Sequence, residues 1–331
     1  MLMKKILPLS IKRELKKLSI IIETLTCFYV DAKTYLKYSN LLFTNDTEEK
    51  LLPSLIRQCH VIEKGLTMPD RRLGFGKERI INIAKDCSLF AKKFDESHPQ
   101  FINCLKVLAE YKQLHEENNY NLDDSLQNAL NNALGLVDDI KVGSQIHSTK
   151  NMYFSNAGSD FENFSNSRHS IRHFEGTIDI ELIKKAVKLA QNSPSSCNRQ
   201  PARVYLLQDK EIIKKISHIQ NGNRGFGHLA DKLLIVASEL GGYILFRERN
   251  SVYIDGGMYA MNLLYSLHYY KIGACALNAS FTNSEEQEIR QLLFIPKSQK
   301  LILIIACGDI PNNIQIASSL RTISDSIMKI I

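Results

Sequence analysis

The sequence predicts an all-α N-terminal region followed by a domain of the α+β class. In the first 145 residues, apolar side chains recur at spacings of three and four, the helical period, and no convincing strand is present. Beyond residue 167, helical patterns alternate with short β-rich apolar runs, which is typical of a mixed fold. The length of 331 residues and a hydrophobic content of 44% allow two modest cores, so two domains are expected.

The N-terminal region begins with a basic amphipathic helix. Leu15, Leu18, Ile22 and Leu25 recur at helical spacing, and we expect this face to pack against protein, the alternative being a membrane-surface anchor. Three further helices are predicted at residues 51–64, 77–94 and 101–116. The loop "EKGLTMPDRRLGFGKE", residues 63–78, contains three glycines and a proline, and is interpreted as a structural turn, with an active-site lid as the alternative.

A stretch rich in Ser, Asn and Gly at residues 145–167 is the best linker candidate. We therefore divide the chain into a helical region, 1–150, and a second domain, 151–331. In the second domain a helix is predicted after Asp179, which can cap it, and Pro194 follows it. Strands are predicted at residues 203–207, 232–238 and 301–308.

Composition narrows the class of protein. The net charge of +7 favours anionic ligands without requiring nucleic acid. The seven cysteines occur singly, without a Cys-x-x-Cys pair or the His spacing of a zinc site, so we expect a reducing compartment, no disulfides and no metal. No run is long and apolar enough for a membrane span, and lysines and arginines interrupt any signal peptide, so a cytoplasmic protein is expected.

The first chemical motif is "SRHSIRHF", which follows the linker candidate. If this stretch is extended, Arg168, Ser170 and Arg172 share a face, and two guanidinium groups flank one hydroxyl. Such an arrangement can bind a phosphate. Taken alone, two arginines at a strand edge are more often merely solvated, so this motif needs a second observation.

The second motif is "NSPSSCNRQPARVYLL", residues 192–207, about 25 residues later. Ser195, Ser196, Asn198 and Gln200 offer short donors and acceptors suited to the polar edge of a planar heterocycle, and the small side chains leave room for its flat face. The alternative is an ordinary polar turn. Cys197 lies in this loop and is interpreted as a packing residue, with redox activity left open.

Together, "RHSIR" at 168–172 and "PSSCNRQP" at 194–201 resemble the opening of the nitroreductase family of flavoproteins. The resemblance implies an α+β nitroreductase-like fold, a central, mostly antiparallel sheet flanked by helices, with FMN as cofactor. It implies that the first motif binds the FMN phosphate and the second lies against the ribityl chain and ring. Later segments resemble the family in order and spacing. The cofactor-binding residues implied in this way are Arg168, His169, Ser170, Arg172, Pro194, Ser195, Ser196, Asn198, Gln200, Asn223, Leu277, Asn278, Ala279, Ser280 and Arg321.

Two departures from the family are visible. Ala202 stands where the family usually has an aromatic residue after Gln-Pro, which puts substrate stacking at that position in doubt. The segment 277–280 lacks the proline and acidic residue that the family often has there.

The resemblance further implies an enzyme, an FMN-dependent oxidoreductase that uses NAD(P)H to reduce an electron-poor small molecule. No protein general base is assigned, because the flavin carries the difficult step. The resemblance also implies a homodimer that builds its flavin site from two subunits. Gly256, Gly257 and Ala260 leave little bulk on one side of a long central helix, so another helix could approach there.

The N-terminal region, with "HVIEKGL" and "GFGKE", resembles a subgroup often associated with surface polysaccharide gene clusters. Because every recognised contact lies after the linker candidate, we expect residues 1–145 to be dispensable for holding flavin, and a chain starting near Met152 to remain yellow.

Two other classes stay open. A non-catalytic flavin or nucleotide binding protein would be yellow without oxidising NADH or NADPH. A membrane-surface or structural interaction protein would be colourless and would partition with membranes. The physiological acceptor and the choice between NADH and NADPH are not predicted.

Overall fold

The computed structural model describes residues 8–140, 142–322 and 327–331. These residues form a helical half and a mixed α and β half, which confirms the α+β class. Within them, no helix is both long and apolar enough to cross a membrane.

The helical half contains five helices. They are α1 (Leu9–Tyr38), α2 (Glu48–Leu66), α3 (Lys77–Lys93), α4 (Pro99–Glu117) and α5 (Asp124–Leu134). Helices α2 to α5 share one core, in which Phe90 stacks on Phe101 and Tyr111 is fully buried. The three helices predicted from periodicity are therefore confirmed, because their apolar stripes meet in this core.

The glycine-rich loop between α2 and α3 is a packed turn. The Phe75 ring lies directly against Gly65 of α2, where an added Cβ would be 2.2 Å from the ring. Gly74 and Gly76 have positive φ angles of 74° and 72°, which glycine adopts without strain. The structural interpretation of this loop is thus supported by its contacts.

Helix α1 behaves differently from the expectation. None of its residues is buried, and Leu15, Leu18, Ile22 and Leu25 are all more than half exposed. Its anchor is a two-point ion pair in which Arg249 donates to Asp31 through Nε and Nη2, each at 2.7 Å. Among residues 8–140, 142–322 and 327–331, the expected packing partner of this apolar face is therefore not found.

The mixed half contains six strands and six helices. In chain order they are β1 (Gln145–Thr149), α6 (Lys150–Tyr153), α7 (Phe161–Ser167), α8 (Ile180–Ala190), β2 (Ala202–Leu207), α9 (Lys210–Ile219), β3 (Lys232–Glu239), α10 (Ser251–Tyr269), β4 (Gly273–Asn278), α11 (Asn283–Leu293), β5 (Gln299–Gly308) and β6 (Asn313–Ala317). The three predicted strands are confirmed as β2, β3 and β5.

The main sheet is antiparallel throughout, in the order β2-β3-β5-β4. Helices α8 and α10 cover one face around Leu234, Val236 and Ile305. A second core covers the other face and includes Ile213 of α9 and Ile289 of α11. Asp179 caps α8 as predicted, because its Oδ1 accepts from the Glu181 amide at 2.9 Å.

The stretch interpreted as a linker is ordered, which corrects that expectation. Its first five residues form β1, which pairs antiparallel with β6 in register from Gln145 opposite Ala317 to Thr149 opposite Asn313. Helices α6 and α7 follow directly. Polar side chains are tolerated here because β1 and β6 form a two-stranded sheet with mixed exposure. The boundary near residue 150 itself stays a prediction.

The small residues of α10 do not share a face. An added Cβ at Gly256 would lie 2.6 Å from Ile302 of β5, and Ala260 is 1% exposed, so both face the sheet. Gly257 lies one residue further round the helix and has nothing within 4 Å. Close approach of another helix is therefore open only at Gly257.

Candidate functional site

A cavity of about 300 Å³ lies between the two halves of the chain. Ser170, Arg172 and Arg321 line it from the mixed half. From the helical half it is lined by α2, through His60 and Glu63, and by α4. This is the only one of the principal cavities of the described chain that contains residues of the predicted phosphate site.

The motif at 168–172 runs in an extended, irregular course beside the edge strand β4, to which the Ile171 amide donates at the Ala274 carbonyl (2.9 Å). Ile171 is buried in the core at 2% exposure, and the residues on either side, Ser170 and Arg172, line the cavity. This alternation follows the period of two expected for an extended stretch.

Arg172 is the most informative residue of the cavity. It is 8% exposed, and its Nε is buried without a hydrogen-bond partner among the described residues. No carboxylate in the described ranges lies within 4 Å of it, and its nearest polar partner is His60 Nε2, 3.4 Å from Nη2. Buried charged groups normally have hydrogen-bonded partners, so this guanidinium is suited to an anionic ligand.

Arg168 does not line the same cavity, although its Nε is also buried without a partner within the described part of the chain. The side chain lies near His169 and His268, because its charge contributes to lowering the pKa of both, after burial as the main cause. His169 Nδ1 is 3.1 Å from the Ser167 carbonyl, and its backbone contacts the Tyr153 hydroxyl. The structure therefore places Ser170 and Arg172 together in the lining of the cavity, whereas Arg168 and His169 lie outside that lining.

The residues of the second motif line a separate cavity of about 360 Å³. Pro194, Ser195 and Gln200 contribute to its wall, and Asn198 and Cys197 lie exposed nearby in the same loop. The two cavities share no lining residue. Within one chain, the predicted site is thus divided into a phosphate half and a ring half.

The loop that carries the ring half has an unusual backbone. Cys197, Asn198 and Gln200 have φ angles of 52°, 54° and 52°, in the left-handed region that residues other than glycine seldom adopt. Such conformations persist where surrounding contacts fix them, and they cluster at functional sites. One such contact is a hydrogen bond in which the backbone N–H of Gln200 donates to Ser195 Oγ at 2.9 Å.

Asp255 of α10 holds this loop in place. Its carboxylate accepts from the Ser196 amide (3.1 Å), from Ser196 Oγ (3.0 Å) and from the Tyr243 hydroxyl (2.8 Å). Burial raises the pKa of Tyr243 to about 12, and the Asp255 carboxylate adds to the shift. Ser196 therefore serves the loop itself, and Asp255 is a supporting residue that the sequence did not single out.

Asn223 is buried, and its side-chain amide is used within its own loop. Its Nδ2 donates to the Ser217 carbonyl at 2.8 Å and to Gln220 at its carbonyl and at Oε1. The loop also contacts the helical half, since Met68 Sδ would lie 3.2 Å from a Cβ at Gly225. In this structure Asn223 shapes the loop instead of presenting a free amide.

The segment 277–280 lies at the end of edge strand β4. Leu277 is buried in the core and Ala279 packs against it. Asn278 and Ser280 are exposed, and Asn278 Oδ1 accepts from the Ser280 amide at 3.1 Å. Of this segment, only the polar side chains are therefore free to meet a ligand.

The helical half contributes His60 and Glu63 to the phosphate cavity, which the sequence did not predict. The expectation that every cofactor contact lies after residue 145 stays a prediction, although residues before 145 also line this cavity. A sequence signal existed in "HVIEKGL", where His60 and Glu63 are three residues apart and share a helix face. The segment was interpreted only as a sign of a subgroup.

The comparisons with known proteins indicate the family that part of this chain resembles. Residues 166–224 match the family model described as "Nitroreductase family". This segment is similar to that family. The match spans both motifs, so the resemblance seen in the sequence is confirmed, and FMN dependence is a general property of that family. At this coarse level the expected class, an oxidoreductase family, is supported.

Three solved structures are similar to about half of this chain. A nitroreductase family protein from Streptococcus pneumoniae is 17% identical, with a TM-score of 0.46, 52% of this chain and 100% of that chain covered. A nitroreductase-like protein from Streptococcus mutans is 19% identical, with a TM-score of 0.44 and coverages of 52% and 98%. An FMN-dependent nitroreductase from Clostridium difficile is 19% identical, with a TM-score of 0.40 and coverages of 50% and 92%. A comparison with curated protein sequences found no match.

Proposed function

We propose that this chain is an FMN-dependent oxidoreductase that uses NAD(P)H to reduce an electron-poor small-molecule acceptor. The observation that supports it most is Arg172, a buried guanidinium that has no carboxylate partner among the described residues and lines a cavity with Ser170 and Arg321. The link to a surface polysaccharide pathway, and a cytoplasmic location, stay predictions.

The residues present fit the phosphate of FMN. Arg172 lines the cavity and keeps a buried Nε without a partner in the part of the chain that the structure describes. Charge-assisted hydrogen bonds from guanidinium groups to phosphate are about twice as strong as neutral ones, so a phosphate in the cavity would give this guanidinium an anionic partner. Arg321 lines the same cavity and would add a second positive charge, whereas Arg168 lies outside its lining.

Each part of the chain then has a role. Arg172, Ser170 and Arg321 would bind and orient the phosphate. The loop held by Asp255 would present Ser195, Asn198 and Gln200 to the polar edge of the ring. When bound, FMN would supply hydride chemistry between nicotinamide and acceptor. No side chain of this site is assigned as a general base.

We further propose that the working form is a homodimer. The phosphate half and the ring half of the predicted site lie in cavities without a shared residue, so a second copy could bring one to the other. Helix α10 also carries an exposed apolar stripe of Ile254, Met258 and Met261, with Gly257 between them. Twofold symmetric pairing is the commonest arrangement of soluble oligomers.

The absorbance spectrum of the purified full-length protein tests the proposed function. A flavin enzyme would be yellow, and its visible absorbance would bleach when NADH or NADPH is added without oxygen and return with an acceptor. A yellow protein that neither nucleotide bleaches would indicate a non-catalytic flavin-binding protein. A protein that stays colourless after incubation with FMN would contradict the proposal and favour an interaction protein.

A further inference from the structure

The phosphate cavity has a second wall that nitroreductase motifs do not account for. Helices α2 and α4 of the helical half close it, so the side chains of His60, Glu63 and Gln100 face Ser170, Arg172 and Arg321 across about 300 Å³. Any anion bound by the arginines would also meet this wall.

His60 is oriented toward the cavity by Glu63. The two are three residues apart on α2, and His60 Nδ1 lies 2.8 Å from Glu63 Oε2. A carboxylate accepts a hydrogen bond, so Nδ1 carries a proton and donates it. The opposite nitrogen, Nε2, lies 3.4 Å from Nη2 of Arg172. The imidazole therefore bridges a buried carboxylate and the central guanidinium of the cavity.

Glu63 also holds the C-terminal segment that carries Arg321. It is 2% exposed, and its second oxygen, Oε1, accepts from the Ser319 amide at 2.9 Å. On α4, Gln100 Nε2 donates to the Leu320 carbonyl at 3.0 Å. Two side chains of the helical half thus clamp the residues next to Arg321.

The charges in this region are unequal. Glu63 is the one acidic residue that lines the cavity, whereas Arg172 and Arg321 line it as cations. The next residue on α2, Lys64, also lies close by, since burial and the charge of Arg172 both lower the pKa of its ammonium group. No carboxylate of the described residues forms an ion pair with Lys64. The positive charge at the cavity therefore comes from Arg172 and Arg321 with Lys64 nearby, and the wall from the helical half contributes the residues that hold these arginines, His60 for Arg172 and Glu63 for the segment of Arg321.

We propose that the helical half completes the phosphate site through two positioning residues. Glu63 orients His60 and holds the segment of Arg321, and His60 Nε2 accepts from Nη2 of Arg172 and so orients that guanidinium for the phosphate. This rests on the proposed function in that the phosphate is that of FMN. It explains why α2 is packed against the motif at 168–172, which flavin binding by the mixed half alone would not require.

The test compares FMN with riboflavin, which lacks the phosphate, on the full chain freed of flavin. Removal of a hydrogen bond to a charged group weakens binding by about ten- to a hundredfold. His60→Ala is therefore expected to weaken FMN binding about tenfold or more and to leave riboflavin binding unchanged. His60→Gln keeps a hydrogen-bond acceptor for Arg172 at similar reach and should recover part of the loss. His147→Gln, an exposed histidine on β1, is the matched control and should change neither affinity.

Glu63→Gln tests the positioning role. Its amide can still accept from the Ser319 amide but no longer provides the anionic partner of His60, so the ratio of FMN to riboflavin affinity should fall. A purely structural residue would weaken both ligands alike. Equal FMN affinity in wild type and His60→Ala, or equal losses for FMN and riboflavin, would overturn the proposal.

A binding experiment with inorganic phosphate distinguishes failure of this proposal from failure of the proposed function. If the wild type binds neither flavin, the proposed function fails, and the wall is tested by the rise in melting temperature that phosphate produces. The wild type should gain more than His60→Ala, because a ligand stabilises the form that binds it. Equal rises in the two proteins would also refute a role of His60 in anion binding.

Discussion

His268 is a buried histidine beneath the start of the phosphate motif. It is 1% exposed, its Nε2 lies 2.9 Å from Ser167 Oγ, and its ring packs against Tyr153, Phe154 and Phe164. Burial lowers its pKa to about 4, and the nearby charges of Arg168 and His169 act in the same direction. The folded protein therefore keeps this ring neutral at pH values where the unfolded chain protonates it.

This predicts a loss of stability on mild acidification. Between the unfolded pKa of about 6.5 and the folded value, the unfolded state binds more protons, so stability falls as pH falls. His268 alone should lower the free energy of unfolding by about 2 kcal/mol between pH 7 and pH 5. Urea unfolding at both pH values measures it. The variant His268→Gln should show a correspondingly smaller loss, and equal losses would contradict the role of this histidine.

At the scale of residues, the sequence predicted what local periodicity determines. Alternation along an extended stretch was enough to place Ser170 and Arg172 on one side and Ile171 in the core. The same alternation also predicted that Arg168 would share this face, but Arg168 does not line the cavity. His60 could not be found in this way, since it meets Arg172 across 112 residues of sequence.

Whether a segment forms a helix or a strand depends on its packing in the fold as much as on its local sequence pattern. The apolar helices and strands were found because each has a strong period, whereas β4, with the small residues "GACALN", has little β-propensity and is formed by its pairing with β5. The strands β1 and β6 are short and partly polar, so only their partner across the chain reveals them. A local sequence pattern carries no information about which distant strand a segment pairs with, so these strands could not be predicted from it.

The turn between α2 and α3 gives a prediction at this scale. Phe75 cannot move away easily from Gly65, because its carbonyl accepts from the Tyr111 hydroxyl at 2.8 Å and the Gly74 amide donates to His115 at 2.8 Å. Gly65→Ala would place its Cβ 2.2 Å from the Phe75 ring. Overpacking of this kind costs about 1–3 kcal/mol, more than the gain of at most about 1 kcal/mol in helix propensity.

Chemical unfolding checks this against Gly158→Ala, where an added Cβ has nothing within 4 Å and stability should hardly change. Because the turn is part of the core of the helical half, the loss should be accompanied by weaker FMN binding if that half forms one wall of the phosphate cavity. Unchanged stability in Gly65→Ala would show that the loop gives way and is not a packed turn.

At the scale of the whole molecule, the proposals place the site at two junctions, one between the halves of a chain and one between two chains. We expect gel filtration with light scattering to give about 75 kDa, twice the 37.7 kDa of one chain. Ile254→Glu, on the exposed stripe of α10, should yield the monomer and lose bound flavin, because a charge in an apolar interface is poorly tolerated. Leu42→Glu, at a position that is 71% exposed, is the control. A monomer that binds FMN tightly would refute the two-subunit site.

The phosphate cavity around Arg172 is the central claim, and calorimetric titration with FMN and with riboflavin tests it most directly. Truncation of one partner of a buried charge pair costs about 2–5 kcal/mol, and tenfold in affinity is about 1.4 kcal/mol. Arg172→Ala should therefore weaken FMN binding by about 30-fold or more and leave the weaker riboflavin binding almost unchanged. The control is Arg57→Ala, an exposed arginine on α2. If the wild type binds FMN and riboflavin equally well, or if Arg172→Ala impairs both equally, this cavity is not the phosphate site.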